Sequence, residues 1–150
     1  MTETALRDLL RKLADYAADY RASVPDRPQR PDTNYPDTIA RFEAATPQSG
    51  APIEQAISEL IALSEPGLAA MTGPRFFGWV IGATEPAGMA ADWLASTWGQ
   101  NTGNALATPS ACAAEEVAAQ WLLDLLDLPR ESSVGFVTGA TMANFTALAA

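Results

Sequence analysis

The chain contains no histidine, so no site that depends on imidazole can be assembled within it. That excludes histidine-based metal centres and both the Ser/His/Asp and the Cys/His arrangements for nucleophilic catalysis. Lysine is nearly as scarce. Lys12 is the only one, and it lies beside Arg11 among charges, where an ordinary solvated lysine is expected rather than an imine-forming nucleophile. The single cysteine, Cys112, allows no internal disulfide, which suits a reducing cytoplasm. Positive charge is also short: 9 basic residues face 18 acidic ones, for a net charge of −9. Such a balance argues against nucleic acid or an anionic membrane as a partner, so any phosphate must be gripped locally. No apolar run approaches the roughly 18 residues of a membrane span, and the N-terminus lacks the basic-then-apolar plan of a signal peptide.

What is present reads as globular. The 150 residues are 48% hydrophobic, enough for one ordinary core. Residues 4–22 place Leu6, Leu9, Leu10, Leu13, Tyr16, Ala17 and Tyr20 on one helical stripe. Residues 24–35 carry Pro25, Pro28 and Pro31 among charges, with Pro36 just after, and predict an extended arm. A short helix is expected around 38–45 and a second amphipathic one over 53–64, ended by Pro66-Gly67. The segment Gly73-Pro-Arg-Phe-Phe-Gly-Trp-Val-Ile-Gly82 is aromatic and bounded by glycines. It reads as a core segment with Arg75 solvated, or as a pocket wall where backbone comes close to a ligand. A helix capped by Thr84, with Pro86 in its first turn, runs to about Trp98. The polar loop 99–104 can present Gln100, Asn101 or Asn104. Thr108-Pro109 opens a further helix whose buried side is expected to carry Val117, Trp121, Leu122, Leu125 and Leu128, until Pro129 stops it.

The most informative stretch comes last. Val134, Phe136 and Val137 suggest a covered parallel strand, and Gly139-Ala140 a sharp turn into a helix capped by Thr141. The first amides of such a helix lack internal partners and sit at the positive end of its dipole, so the turn is a seat for an anion. The helix is still apolar at Ala150, without a glycine cap, and the natural protein is expected to continue.

Four segments in order, Gly73-Pro-Arg-Phe-Phe77, residues 90–97, residues 108–117 and residues 138–144, resemble the landmarks of the group II pyridoxal-phosphate-dependent decarboxylases. That family includes glutamate, histidine, tyrosine and aromatic-L-amino-acid decarboxylases. The resemblance implies an α/β, fold-type I, PLP-dependent transferase-like fold. Residues 1–65 would be a helical dimerisation segment with its proline-rich arm, and 66–150 the start of the large cofactor-binding domain. It implies pyridoxal 5'-phosphate as cofactor, an L-amino acid as substrate, a homodimer, and decarboxylation through a Schiff base and a quinonoid. Position by position it makes Gly139, Ala140, Thr141 and Asn144 cofactor-binding residues, the phosphate held by the Ala140 amide and the Thr141 hydroxyl. Trp79, Ile81 and Gly82 fall where the family builds its substrate pocket. No catalytic residue is carried onto this chain, because the ring-stacking histidine, the pyridine-pairing aspartate and the Schiff-base lysine lie beyond residue 150 in the family pattern. Gly73 stands where the family commonly has histidine. Trp79 occupies a position that is glutamine in glutamate decarboxylases, which favours an aromatic or apolar substrate.

Val-Thr-Gly-Ala-Thr141 also resembles the nucleotide turn of short-chain dehydrogenases, but Met142, Ala143 and Asn144 follow where that NAD(P)-binding turn needs further glycines. A third alternative is a helical interaction module whose glycine turn binds nothing.

Overall fold

The structure, a computed structural model, describes residues 2–82 and 84–150. Among them are six α-helices: α1 (Glu3–Ser23), α2 (Tyr35–Phe42), α3 (Ile53–Ser64), α4 (Pro86–Trp98), α5 (Pro109–Leu125) and α6 (Ala140–Ala149), with a 3₁₀ turn, Glu65–Gly67, after α3. The chain divides into two compact units, the first ending at Glu85 and the second running Pro86–Ala150.

In the first unit, Thr2 caps α1 by accepting from the Ala5 amide at 3.2 Å, and the arm that follows is fastened rather than loose. Arg27 donates to Glu65 at 2.8 Å and to the Ser23 hydroxyl at 2.7 Å, and its guanidinium lies 4.2 Å from the centre of the Tyr20 ring. Tyr16 donates to the other Glu65 oxygen at 2.8 Å, and the Asp32 amide to the Pro66 carbonyl at 2.9 Å. Helix α2 begins at Tyr35, three residues before the expected start at 38, because Asn34 is an efficient cap. Its side chain accepts from the Asp37 amide at 2.9 Å and donates to the Asp37 carboxylate at 2.8 Å. Pro36, expected to lie just beyond a broken arm, instead stands in the first turn of α2, where its missing N–H has no partner to lose.

In the second unit, α5 begins at Pro109, as the sequence predicts, and α4 at Pro86, one residue later than a Thr84 cap would place it. Helix α5 ends before Pro129 can stop it. The Leu128 amide donates to the Leu123 carbonyl at 2.9 Å and the Asp127 amide to the Asp124 carbonyl at 3.2 Å, with Asp127 at φ 54°. This is a Schellman closure with aspartate in the left-handed position usually taken by glycine.

Two expectations need correction. No strand is present among the described residues: 134–137 has no ladder partner, and Val134, Phe136 and Val137 are exposed. A strand exists only when a neighbour takes up its N–H and C=O groups, and no segment here does so. Nor is one ordinary core built, since Leu9, Val24, Ala70 and Leu123 are the only buried hydrophobic residues described. On α5 the residue turned inward is Leu123. Val117, Trp121, Leu125 and Leu128, expected on the buried side, are 46%, 71%, 80% and 48% exposed. Leu123 lies about 200° around the helix from Trp121, so the buried and the exposed apolar residue sit on opposite faces of α5.

Candidate cofactor and substrate sites

Helix α6 is capped two residues earlier than predicted. Gly139 is the N-cap, with φ 162° and ψ 173°, and Ala140 is the first helical residue. Thr141, expected to cap, is therefore the second residue of the helix, with its hydroxyl still at the N-terminal end. Gly139 is extended rather than sharply turned, and a Cβ built there meets nothing within 4 Å. The protein itself thus sets no demand for glycine at this position.

The first bond into the helix is from the Ala143 amide to the Gly139 carbonyl, at 3.0 Å. The amides of Ala140, Thr141 and Met142 have no acceptor among the described residues, and neither do the hydroxyls of Thr138 and Thr141. Residues 138–144 are all exposed, so these donors are accessible. Asn144 stands four positions after Ala140, about 40° around the helix from it and about 6 Å further along, on the same side as the free amides. This donor set fits a phosphate monoester: several convergent N–H groups at the positive end of a ten-residue helix, plus two hydroxyls and no carboxylate between 132 and 150. With the cap at Gly139 rather than Thr141, the free amides are those of Ala140, Thr141 and Met142 instead of Met142, Ala143 and Asn144.

Within the first unit, residues 73–82 form an aromatic loop. The Phe76 amide donates to the Gly73 carbonyl at 3.2 Å and the Ile81 amide to the Gly78 carbonyl at 3.4 Å. Trp79 and Val80 have φ of 64° and 54°. Consecutive non-glycine residues in the left-handed region, one of them β-branched, store backbone strain of the kind that gathers at ligand-binding loops. The loop and the proline arm enclose an open cavity of about 740 Å³, whose walls include Met71, Phe76, Phe77 and Trp79 and whose cations are Arg30 and Arg75. Of the three residues expected in a substrate wall, Trp79 lines this cavity, whereas Ile81 and Gly82 are exposed outside its lining. Arg75, read as solvated, reaches back to the arm and donates to the Arg27 carbonyl at 3.0 Å.

In the second unit, Gln100 and Asn101 line an apolar cavity of about 460 Å³ against Leu94 and Trp98. Asn104 does not; its side chain accepts from the Leu106 amide at 2.8 Å and shapes its own turn. Lys12 is exposed, as the charge pattern around it predicts.

Gly73 is held by packing. A Cβ there would lie 3.0 Å from the Ala70 carbonyl oxygen and 3.0 Å from the Val24 side chain. The space beside this residue is filled by Val24, one of the few buried side chains.

Residues 36–150 match the model of the pyridoxal-dependent decarboxylase conserved domain. The chain belongs to that family. Among the pyridoxal-dependent decarboxylases it is similar to tryptophan decarboxylase 1 of Oryza sativa subsp. japonica, with 29% identity over 124 residues, 83% of this chain and 24% of that protein. Its similarity to the aromatic-L-amino-acid decarboxylase of Mus musculus is 28% identity over 125 residues, 83% of this chain and 26% of the relative. Among solved structures, it resembles that of Oryza sativa TDC with PLP and tryptamine, at a TM-score of 0.74 and 28% identity, covering 86% of this chain and 26% of that one. The chain thus spans about a quarter of the length of these relatives. The likeness is consistent with the fold-type I class expected from the sequence. Neither the dinucleotide-binding alternative nor the inert helical module finds support in these similarities.

Proposed function

We propose that this chain is the N-terminal portion of a pyridoxal-phosphate-dependent carboxy-lyase that removes CO2 from an aromatic or apolar L-amino acid. The observation that carries the reading is the match of residues 36–150 to the pyridoxal-dependent decarboxylase domain. The open helix end at Ala140–Met142 supports it. Within that reading, the Ala140, Thr141 and Met142 amides and the Thr141 hydroxyl hold the cofactor phosphate, with Gly139 leaving room beside it and Asn144 bracing the same end of α6. When bound, pyridoxal phosphate supplies the electron sink for the pair left behind by CO2. Trp79, with Ile81 and Gly82 after it, forms an apolar wall that packs the substrate side chain and keeps water from the reacting carbon. A wall of this kind suits an indole or phenyl ring better than a second carboxylate.

The reading extends to organisation. Residues 1–65 serve as a helical segment for homodimer formation, and residues 66–150 open an α/β cofactor domain in which 134–137 becomes a strand once neighbours pair with it. The lack of disulfide-forming cysteine pairs favours a cytoplasmic location. The test is spectroscopic and catalytic together. The full protein should bind pyridoxal phosphate with a visible absorbance band and release CO2 from L-tryptophan, L-tyrosine or L-phenylalanine. Absence of the band would remove the cofactor reading; a band without CO2 release would redirect the chemistry to another pyridoxal-phosphate reaction.

A further inference from the structure

On the proposed reading that the cavity between the arm and the aromatic loop receives the substrate, we infer that Arg27 and Glu65 are positioning residues for it. Their ion pair holds Gln29, Arg30 and Pro31 across the cavity from Trp79 and so sets the gap into which the amino acid fits. The arm is fastened twice, to neighbouring residues of one turn: Arg27 donates to Glu65 at 2.8 Å, and the Asp32 amide donates to the Pro66 carbonyl at 2.9 Å. Residues 28–31 lie between these anchors and make no backbone hydrogen bond among the described residues. Between them and the turn is a separate cavity of about 200 Å³, whose lining includes Pro28, Arg30, Pro66 and Leu68, so the stretch spans a gap instead of packing down. A span with neither bonds nor packing of its own takes its position from its ends.

Proline makes the span stiff. Pro28 follows one anchor directly and Pro31 directly precedes the other; each fixes its own φ and restricts the residue before it. A shift at Arg27 is therefore passed on to Gln29 and Arg30. The opposite wall is tied to the same point, since Arg75, part of the cavity lining, donates to the Arg27 carbonyl at 3.0 Å. Arg27 thus joins both walls through its backbone, while its guanidinium is fixed by Glu65, by the Ser23 hydroxyl at 2.7 Å and by the Tyr20 ring. Glu65 is fixed in turn by Tyr16, at 2.8 Å. Neither Arg27 nor Glu65 lines the cavity, so the pair acts on a ligand only through the wall it holds.

The experiment compares the full protein with Glu65→Ala, Glu65→Gln, Arg27→Gln and, as a control for general destabilisation, Thr2→Ala, which removes only the cap of α1. Hydrogen exchange reads the arm itself: a peptide spanning residues 24–33, whose bonded amides include Arg27 and Asp32, should exchange about tenfold faster in Glu65→Ala and Arg27→Gln and at the parent rate in Thr2→Ala. Turnover of L-tryptophan, L-tyrosine or L-phenylalanine, whichever the parent accepts, reads the cavity. In Glu65→Ala and Arg27→Gln, KM should rise about tenfold, with kcat within about twofold of the parent and pyridoxal phosphate retention unchanged. Glu65→Gln keeps an acceptor and should fall between the parent and Glu65→Ala. Combining Arg27→Gln with Glu65→Ala should raise KM little further than Glu65→Ala alone, as expected of two halves of one contact. Unaltered exchange, faster exchange with unaltered KM, or an equal rise of KM in Thr2→Ala overturns the proposal. Failure of the decarboxylase reading shows separately, in the parent: without the absorbance band both fall, and with the band but no CO2 release the same comparison is made on the amino-acid Kd read from the change in that band.

Discussion

Thr141 is the residue on which cofactor retention turns. Its amide is one of three free donors at the start of α6, and its hydroxyl is the only side-chain donor on the first turn of that helix. Thr141→Val keeps the shape and the amide and removes the hydroxyl. If that hydroxyl bonds a phosphate, its loss should weaken pyridoxal-phosphate retention about tenfold, with little effect on folding, as read by titrating the absorbance band. Unchanged affinity would take Thr141 out of the site. Gly73 carries an opposite kind of prediction, structural rather than functional. With Val24 and the Ala70 carbonyl each 3.0 Å from a Cβ built there, Gly73→Ala must displace backbone or a buried side chain. It should destabilise the first unit by about 1 to 3 kcal/mol in urea unfolding, and Gly73→His by more. Pairing Gly73→Ala with Val24→Ala should recover part of the loss. Both residues stood out in the sequence, one for its chemistry and one as a departure from the family pattern. The packing at Gly73 was invisible there, because nothing in a linear chain says that position 24 lies against position 73.

Among the elements, the arm and α5 show where pattern reading runs out. Three prolines among charges predicted an extended arm; the segment is instead a run of turns and bends, and Arg27 is fastened by a residue thirty-eight positions away. The Glu65 carboxyl is held below its ordinary value by its hydrogen bonds from Arg27 and then Tyr16. Tyr16 is pushed from 10.0 up to about 12 by burial, and by the bond to Glu65 and its charge. The depressed Glu65 contributes stability that is present above the ordinary carboxylate range and is lost as pH falls through its folded value. The raised Tyr16 contributes stability that is complete below pH 10.0 and is lost as pH rises towards about 12. The difference in Tm between the parent and Glu65→Ala should therefore be widest between about pH 5 and 10 and shrink on both sides. A difference independent of pH would mean that the clamp holds the arm by packing alone.

Helix α5 was legible at its start, where Thr108-Pro109 is an unambiguous signal, and misread at its end and on its faces. Its stop is a Schellman closure without the glycine by which that closure is recognised. Asp127 holds φ 54° at the cost of left-handed strain, so Asp127→Gly should stabilise the second unit by roughly 0.5 to 1 kcal/mol, measured as a rise in the urea midpoint at constant slope. A loss of stability would show that the Asp127 side chain contributes more than its backbone strain takes away.

At the scale of the whole molecule, composition says how much apolar surface must be covered but not what covers it. A content of 48% hydrophobic residues pointed to an ordinary core, yet the chain exposes 11981 Å². A compact protein of this mass, 15.8 kDa, exposes about 7,300 Å², and even two separate compact units of half the mass would expose only about 8,800 Å². Apolar residues of α5, of α6 and of the unpaired stretch 134–137 are among those exposed. The consequence is measurable on the 150-residue chain itself. An unfolded chain of this mass exposes about 23,000 Å², so unfolding would uncover about 11,000 Å² here against about 15,600 Å² for a compact protein. Since the denaturant slope follows the area uncovered, the urea m-value of this chain should be about 30% below that of a compact domain of equal length. It should also bind a hydrophobic dye in the absence of denaturant. A slope equal to that of a compact domain, without dye binding, would mean that the apolar faces of α5 and α6 find cover within these residues after all.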